Sequence, residues 1–251
     1  MAGRALRFHG RAATLAGMDP EVSAEAAAAL DRFEAVHGRA VPASVREWFA
    51  LAQGADVLRE FSNDDAVYGA DRLGREEVYY WPEDNGDWPD DVEEQEERPI
   101  DPVGALGLLP FLVENQGVWV MAVRLDGSED PPVVISFDDV TPSAAWRPCA
   151  DRFSDLVHAR IWDAPVHRHG TQLATHEGTE PPALLDVLRR DFTPGPPTVD
   201  GIQRYSRDGD RQRVLIEQWR GRWHTTTWAA DEASAAALAA ALGTDTGAAE
   251  Q

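Results

Sequence analysis

The stretch His37–Ala55, HGRAVPASVREWFALAQGA, carries the first decision about the fold. Gly38 can close a preceding helix, because glycine accepts the left-handed conformation that helix ends require. Pro42 suits a first helical turn, where its missing N–H costs nothing. Val41, Val45, Trp48, Phe49 and Ala52 then recur at helical spacing, and Gly54 is the next stop signal. Upstream, Asp19-Pro20 can cap and begin a helix that carries Leu30, Phe33 and His37 on one face. The spacing therefore predicts two helices joined by a very short turn.

Working outward, LGLLPFLVENQGVWVMAVRL (106–125) reads as strand, turn, strand, with the turn at Asn115-Gln116-Gly117. EEVYYW (76–81) and PPVVISF (131–137) read as further strands. ADRFSDLVHARIW (150–162) reads as a helix burying Phe153, Leu156, Val157 and Ile161. The polar stretch 164–181 reads as a linker. Beyond it, ALLDVLRRDF (183–192) is helical, three strands are expected between Ile202 and Asp231, and DEASAAALAAALG (231–243) is a capped helix ending at Gly243. Asp208-Gly209 and Gly221 mark the hairpin turns. The expected architecture is α+β. Two helices, several strands and a further helix span 19–163, with an acidic insertion at 83–101. A small α-β-β-β-α module follows over 182–243, and 1–18 and 244–251 are expected as flexible tails.

The chain has 251 residues, 43% of them apolar, enough for a sizeable core. No run of 18 apolar residues suggests a transmembrane helix. The N-terminal segment lacks the continuous apolar stretch of a signal peptide. Cys149 is the single cysteine, so neither an intramolecular disulfide nor a thiolate zinc site can form. A cytoplasmic protein is the plain expectation. All 23 basic residues are arginine, a bias typical of GC-rich genomes. Without lysine, Schiff-base and phosphate-loop lysine chemistry is excluded.

The net charge of −21 is uneven. Residues 1–180 hold 34 acids against 15 arginines, net −19; residues 181–251 hold ten against eight, net −2. The densest run is Glu83–Asp101, EDNGDWPDDVEEQEERPID, with ten carboxylates and one arginine. Two readings of it stand: a solvated loop in an acidic protein, or a docking surface for a basic partner. On the second reading Trp81 and Trp88 are anchors, and Asp90, Asp91, Glu93, Glu94, Glu96 and Glu97 supply the charge.

The wording of residues 20–162 resembles the SUKH superfamily, which includes a yeast cell-wall synthesis regulator and many bacterial immunity proteins. The resemblance rests on HGRAVPASVREWFALAQGA, LLPFLVENQGVWVMAV, PPVVISF and RFSDLV, in that order. Gln53 stands where the family usually has Asn. Trp48, Phe49, Phe111, Trp119 and Phe153, large apolar groups at regular spacing, read as core residues, and the resemblance implies a mixed sheet packed by helices. It implies an α+β fold and a non-enzymatic role, the stoichiometric blocking of a cognate toxin domain. A regulatory or scaffold protein of the same fold is the alternative.

Other chemistry has less support. A glycosidase needs two carboxylates held about 5–9 Å apart on a rigid frame, and the densest acids sit in a run rich in turn signals. EDNGD lacks the spacing of a calcium loop. His158, His167, His169 and His176 cluster near the expected linker; His167 and His169 would share one face of an extended chain, but no acid or cysteine completes a metal set. Ser44 and Ser154 have no activating motif. The second module shares its element order with double-stranded RNA-binding domains, yet its last helix opens DEASAAAL, with two acids and no base, so nucleic-acid binding is rejected. Its six arginines between Arg204 and Arg222 read as the wet face of a sheet. The expectation is thus no cofactor, no metal, no membrane, and a basic protein partner.

Overall fold

The computed structural model describes residues 5–60, 66–73, 102–114, 118–137, 145–177, 181–199, 201–219 and 221–243. The chain divides into two units, Met1–Val157 and His158–Gln251. Helices and antiparallel sheets make the fold α+β. The expected strand at 76–81 and the tail 244–251 lie outside the described residues.

Unit 1 opens with helix α1 (Gly10–Leu15), followed by α2 (Ala24–His37), α3 (Ala43–Phe49) and α4 (Gly54–Glu60). The tail expected over 1–18 is therefore partly structured, because Ala12 and Ala13 bury their methyl groups and His9 is 1% exposed. α2 begins later than the Asp19-Pro20 signal suggested. Ser23 is its cap, its hydroxyl accepting from the Ala26 N–H at 3.2 Å. Gly38, at φ +62°, closes the helix as expected. Gly54 does not close α3. It opens α4 with an ordinary φ, and a Cβ there would lie 2.2 Å from the Trp48 carbonyl oxygen. The glycine serves close approach of two helices, and Gln53 before it has no positive φ.

The sheet of unit 1 runs β1-β2-β3-β4-β5, and all its described pairs are antiparallel, so it is not the mixed sheet expected. Its strands are β1 (Ala66–Val67), β2 (Leu108–Val113), β3 (Val120–Arg124), β4 (Val133–Ser136) and β5 (Arg147–Ala150). A one-turn π-helix, Pro102–Leu106, leads into β2. Five of six β2 residues are buried, as expected of a strand covered on both faces. Pro110 cannot donate to the ladder, and the β2–β3 register shifts between Pro110 and Leu112. Phe111 falls at that irregularity, and its carbonyl accepts from the Tyr68 N–H at 3.0 Å. Its ring packs 5.2 Å from Phe153 and 6.4 Å from Phe49. Trp48, Phe49, Phe111 and Phe153 are fully buried, whereas Trp119, beside the β2–β3 turn, is only half-buried.

Helix α5 (Phe153–His169) runs through Pro165, beyond the Trp162 end that the sequence suggests, and the boundary between the units falls within it. Unit 2 continues with β6 (Thr171–Glu177), α6 (Pro182–Asp191), β7 (Thr193–Pro194), β8 (Gln203–Arg207), β9 (Gln212–Trp219), β10 (Arg222–Ala229) and α7 (Glu232–Leu242). The stretch 164–181, expected as a linker, is therefore the end of α5 and a paired strand. Gly170 allows that direct passage, since a Cβ there would meet the Val166 oxygen at 2.2 Å and Thr226 Cγ2 at 2.6 Å. The sheet order is β6-β10-β9-β8-β7. Asp208, Gly209 and Asp210 all have positive φ in the β8–β9 turn, as does Gly221 between β9 and β10. Tyr205, Val214 and Ile216 form one core with Leu185 and Leu188 of α6 and Leu238 of α7. Asp231 caps α7 by accepting from the Ser234 N–H at 2.8 Å.

Candidate functional site

Trp81, Trp88, Asp90, Asp91, Glu93, Glu94, Glu96 and Glu97 lie outside the described residues. Several acids of the unit 1 frame are engaged in building it. Glu47 of α3 accepts three successive backbone N–H groups, from Arg7 at 2.7 Å, Phe8 at 2.8 Å and His9 at 3.0 Å. Glu129 takes the Arg7 guanidinium at 2.9 and 2.6 Å, and this bonded arginine holds its carboxyl below the usual range. Arg46 bridges Asp31 at 2.8 Å and Glu34 at 2.9 Å. Asp130 accepts from the Ser154 N–H at 3.1 Å and hydroxyl at 2.5 Å, tying the β3–β4 loop to the start of α5. Burial pushes the carboxyl of Asp155, in the first turn of α5, above its ordinary value.

His9 is the buried polar centre of this frame. Its Nε2 lies 2.9 Å from the Ser44 carbonyl oxygen. A carbonyl can only accept, so Nε2 carries the hydrogen and Nδ1 is a bare acceptor. The ring stands 5.0 Å from Trp48 and 5.6 Å from Phe153. Burial lowers the imidazole pKa; the Ser44 carbonyl, Glu47 and Asp130 oppose that shift without reversing it. Nδ1, Ser44 Oγ and Trp48 Nε1 are buried without hydrogen-bond partners among the described residues. Ser44 is 0% exposed and His9 is 1% exposed, so the pair is sealed from any substrate. Beside it, a cleft of about 300 Å³ runs between Arg39–Ala43 and Leu125–Glu129. Its charged lining, Arg39 and Glu129, is of mixed sign.

Unit 2 holds a second buried polar centre, on the sheet face opposite the α6–α7 core. Arg204 makes a bidentate pair with Asp163 of α5, Nε to Oδ1 at 2.7 Å and Nη2 to Oδ2 at 2.6 Å. The two side chains are 2% and 9% exposed. Arg213 lies between two indoles, 5.2 Å from the Trp162 ring centre and 4.7 Å from that of Trp228. It donates to the Asp210 carbonyl at 2.9 Å and the Trp162 carbonyl at 2.5 Å. Burial pushes its pKa down to about 10. Two of the arginines expected on a wet face are thus interior, because residues 158–169 of α5 cover that face. Arg207, Arg211 and Arg222 are exposed as expected.

His167 and His169 sit in the last turn of α5, where a spacing of two directs them to different sides; the extended geometry that would pair them does not occur. His158 is buried, and His176 lies on β6. Among the described residues no group of three His, Cys, Asp or Glu side chains is placed to hold a metal ion, and no helix is long and apolar enough to cross a membrane. The buried arginines had one sequence signal, Asp163 beside Trp162 on a helix otherwise apolar at that level. His9 had none beyond its apolar neighbours. No family model, curated protein or solved structure matches this chain.

Proposed function

We propose that this protein is a stoichiometric binding protein of the immunity type, which captures a basic toxin domain through the acidic run Glu83–Asp101. The observation that carries this reading is the apportioning of charge. Unit 1 holds 31 acids against 13 arginines, net −18, and unit 2 holds 13 against ten, net −3. Within unit 1, the described residues contribute 15 acids and ten arginines, and many of those acids are bonded into the frame. The remaining segments contribute 16 acids and three arginines, net −13. The surplus is concentrated in sequence, as a carboxylate array aimed at a phosphate-binding cleft requires. Complementary charge of this density raises association toward about 10⁸ M⁻¹s⁻¹ at low salt, against about 10⁵–10⁶ for neutral pairs. Fast capture suits a protein that must bind a toxin before it acts. The resemblance of residues 20–162 to the SUKH superfamily supports the same reading.

The test has two stages. A partner is captured from lysate at low salt, eluted by stepwise salt and identified. Expressed alone, it should arrest growth, and co-expression of this chain should restore growth through a one-to-one complex. A captured partner harmless by itself removes the toxin and leaves a regulatory or scaffold role. Neutralising Asp90, Asp91, Glu93, Glu94, Glu96 and Glu97 to their amides should then slow association at least about tenfold and flatten its salt dependence. Unchanged association would remove the run from the interface.

A further inference from the structure

A sheet edge presents unpaired N–H and C=O groups, and proteins commonly blunt edges by shortness, proline or charge. Among the described residues the two sheets have four edges, and three are blunted. β1 has two residues, β7 is the dipeptide Thr193-Pro194, and β5 has four residues including Arg147 and Pro148. The fourth edge, β6, is different. It runs seven residues, TQLATHE, without proline, lysine or arginine. Thr171, Gln172, Thr175 and Glu177 are exposed. One side of β6 pairs with β10, with a register shift near Leu173 and four regular pairs from Ala174 to Glu177. Among the described residues no strand pairs with its other side.

The chemistry of the strand selects the occupant. β6 carries one formal charge, Glu177, inside a unit of net −3, so it offers nothing to a strongly basic partner. An antiparallel copy of itself meets no such mismatch. Centred on Ala174, that pairing sets Glu177 opposite Thr171, His176 opposite Gln172 and Thr175 opposite Leu173, with no like charges facing. We propose that the free edge of β6 pairs antiparallel with β6 of a second copy of this chain, making an isologous dimer whose two sheets join into one of ten strands. The inference rests on unit 2 alone and is independent of what the acidic run binds.

Two short strands bury less than the roughly 1,200 Å² of a standard interface, so the dimer is concentration-dependent. Light scattering on the full chain, from about 1 μM to about 500 μM, spans the range expected of so small an interface. The weight-average mass should climb from 27.6 kDa toward twice that value. Gln172→Lys with Thr175→Lys places two exposed cations on the edge and should hold the mass at the monomer value, with the circular dichroism spectrum and thermal midpoint unchanged. Hydrogen exchange provides the positional readout: amides of Thr171–Glu177 should gain protection with concentration in the parent chain and not in the variant. A mass that stays at 27.6 kDa across the whole range overturns the proposal. So does a dimer that survives both lysines with β6 amides unprotected, which would place the interface elsewhere.

Discussion

Removing the Asp163 carboxylate should destabilise unit 2 more than truncating any exposed ion pair in the protein. The carboxylate is 9% exposed and the Arg204 guanidinium 2% exposed, and they share two hydrogen bonds of 2.7 and 2.6 Å. In Asp163→Ala the cation remains buried without its counter-charge, a change that costs about 3–5 kcal/mol in comparable sites. Arg204 keeps bonds to Thr198 Oγ1 at 2.5 Å and the Ile202 carbonyl at 3.3 Å, which places the expected loss at the lower end, about 3 kcal/mol. Asp163→Asn preserves shape and an acceptor and should cost less, about 2 kcal/mol. The pair Asp163→Leu with Arg204→Met removes both charges and should recover to within about 1 kcal/mol of the parent, because an apolar replacement spares the desolvation of two ions. Urea unfolding of the full chain, followed by indole fluorescence and fitted for two units, should show the Asp163→Ala midpoint lowered by about 1.5 M, taking a slope of about 2 kcal/mol per M. A shift under about 0.5 M would mean that water reaches the guanidinium and that the site is not a buried charge pair. A double variant as unstable as the single would show that packing, not charge, decides this site.

Two further outcomes test unit 1. The His9 pKa is lowered in the folded state, so the unfolded chain takes up the proton first; stability is complete above the ordinary value of 6.5 and falls as pH drops from there toward the folded value. Urea midpoints should decline between about pH 6.5 and 5 in the parent and stay flat in that window in His9→Phe, and an NMR titration placing His9 at or above 6.5 would refute the buried neutral ring. Gly54→Ala should cost about 3 kcal/mol, because its Cβ would overlap the Trp48 backbone oxygen, whereas Gly38→Ala, with positive φ but open space, should cost about 1–2 kcal/mol. Thermal midpoints in the reverse order would show that the α3–α4 joint relaxes freely.

What was legible in the sequence follows from what burial does to periodicity. The α2–α3 pair and the β2–β3 hairpin bury whole faces, so Leu30, Phe33, Val45, Trp48 and the run LLPFLV announce them. The face Phe153, Leu156, Val157 and Ile161 was readable for the same reason. β6 was not, because an edge strand of exposed and half-buried residues leaves no alternation. The second half of α5 was hidden by Pro165. Proline costs a helix its hydrogen bond to residue 161, but burial of Trp162, Ala164 and Val166 offsets that loss, and local propensity cannot register it. Arg204 and Arg213 looked solvated because their satisfying groups lie 41 and 51 residues away, on Asp163 and on the Trp162 carbonyl. A charge on a strand is informative only when its partner is known.

That distinction also decides which carboxylates can serve a partner. Glu47 holds three backbone amides of the segment leading into α1, and Glu129 holds Arg7 of the same segment. Neutralising either one removes the same single charge as neutralising Glu93, and a purely long-range field would respond almost equally. The structural consequences differ. In Glu47→Gln one of the two oxygens becomes an NH2 donor facing an N–H group, so either Arg7 or the Phe8–His9 pair loses its acceptor, which loosens the strap that seals the His9 ring against Trp48 and Phe153. Steering by net charge and docking by the acidic run are therefore separable at constant charge. Glu47→Gln should lower the stability of unit 1 while leaving the salt dependence of association nearly intact, and Glu93→Gln should do the reverse. Equal slowing by the two variants would favour diffuse steering over a defined carboxylate surface.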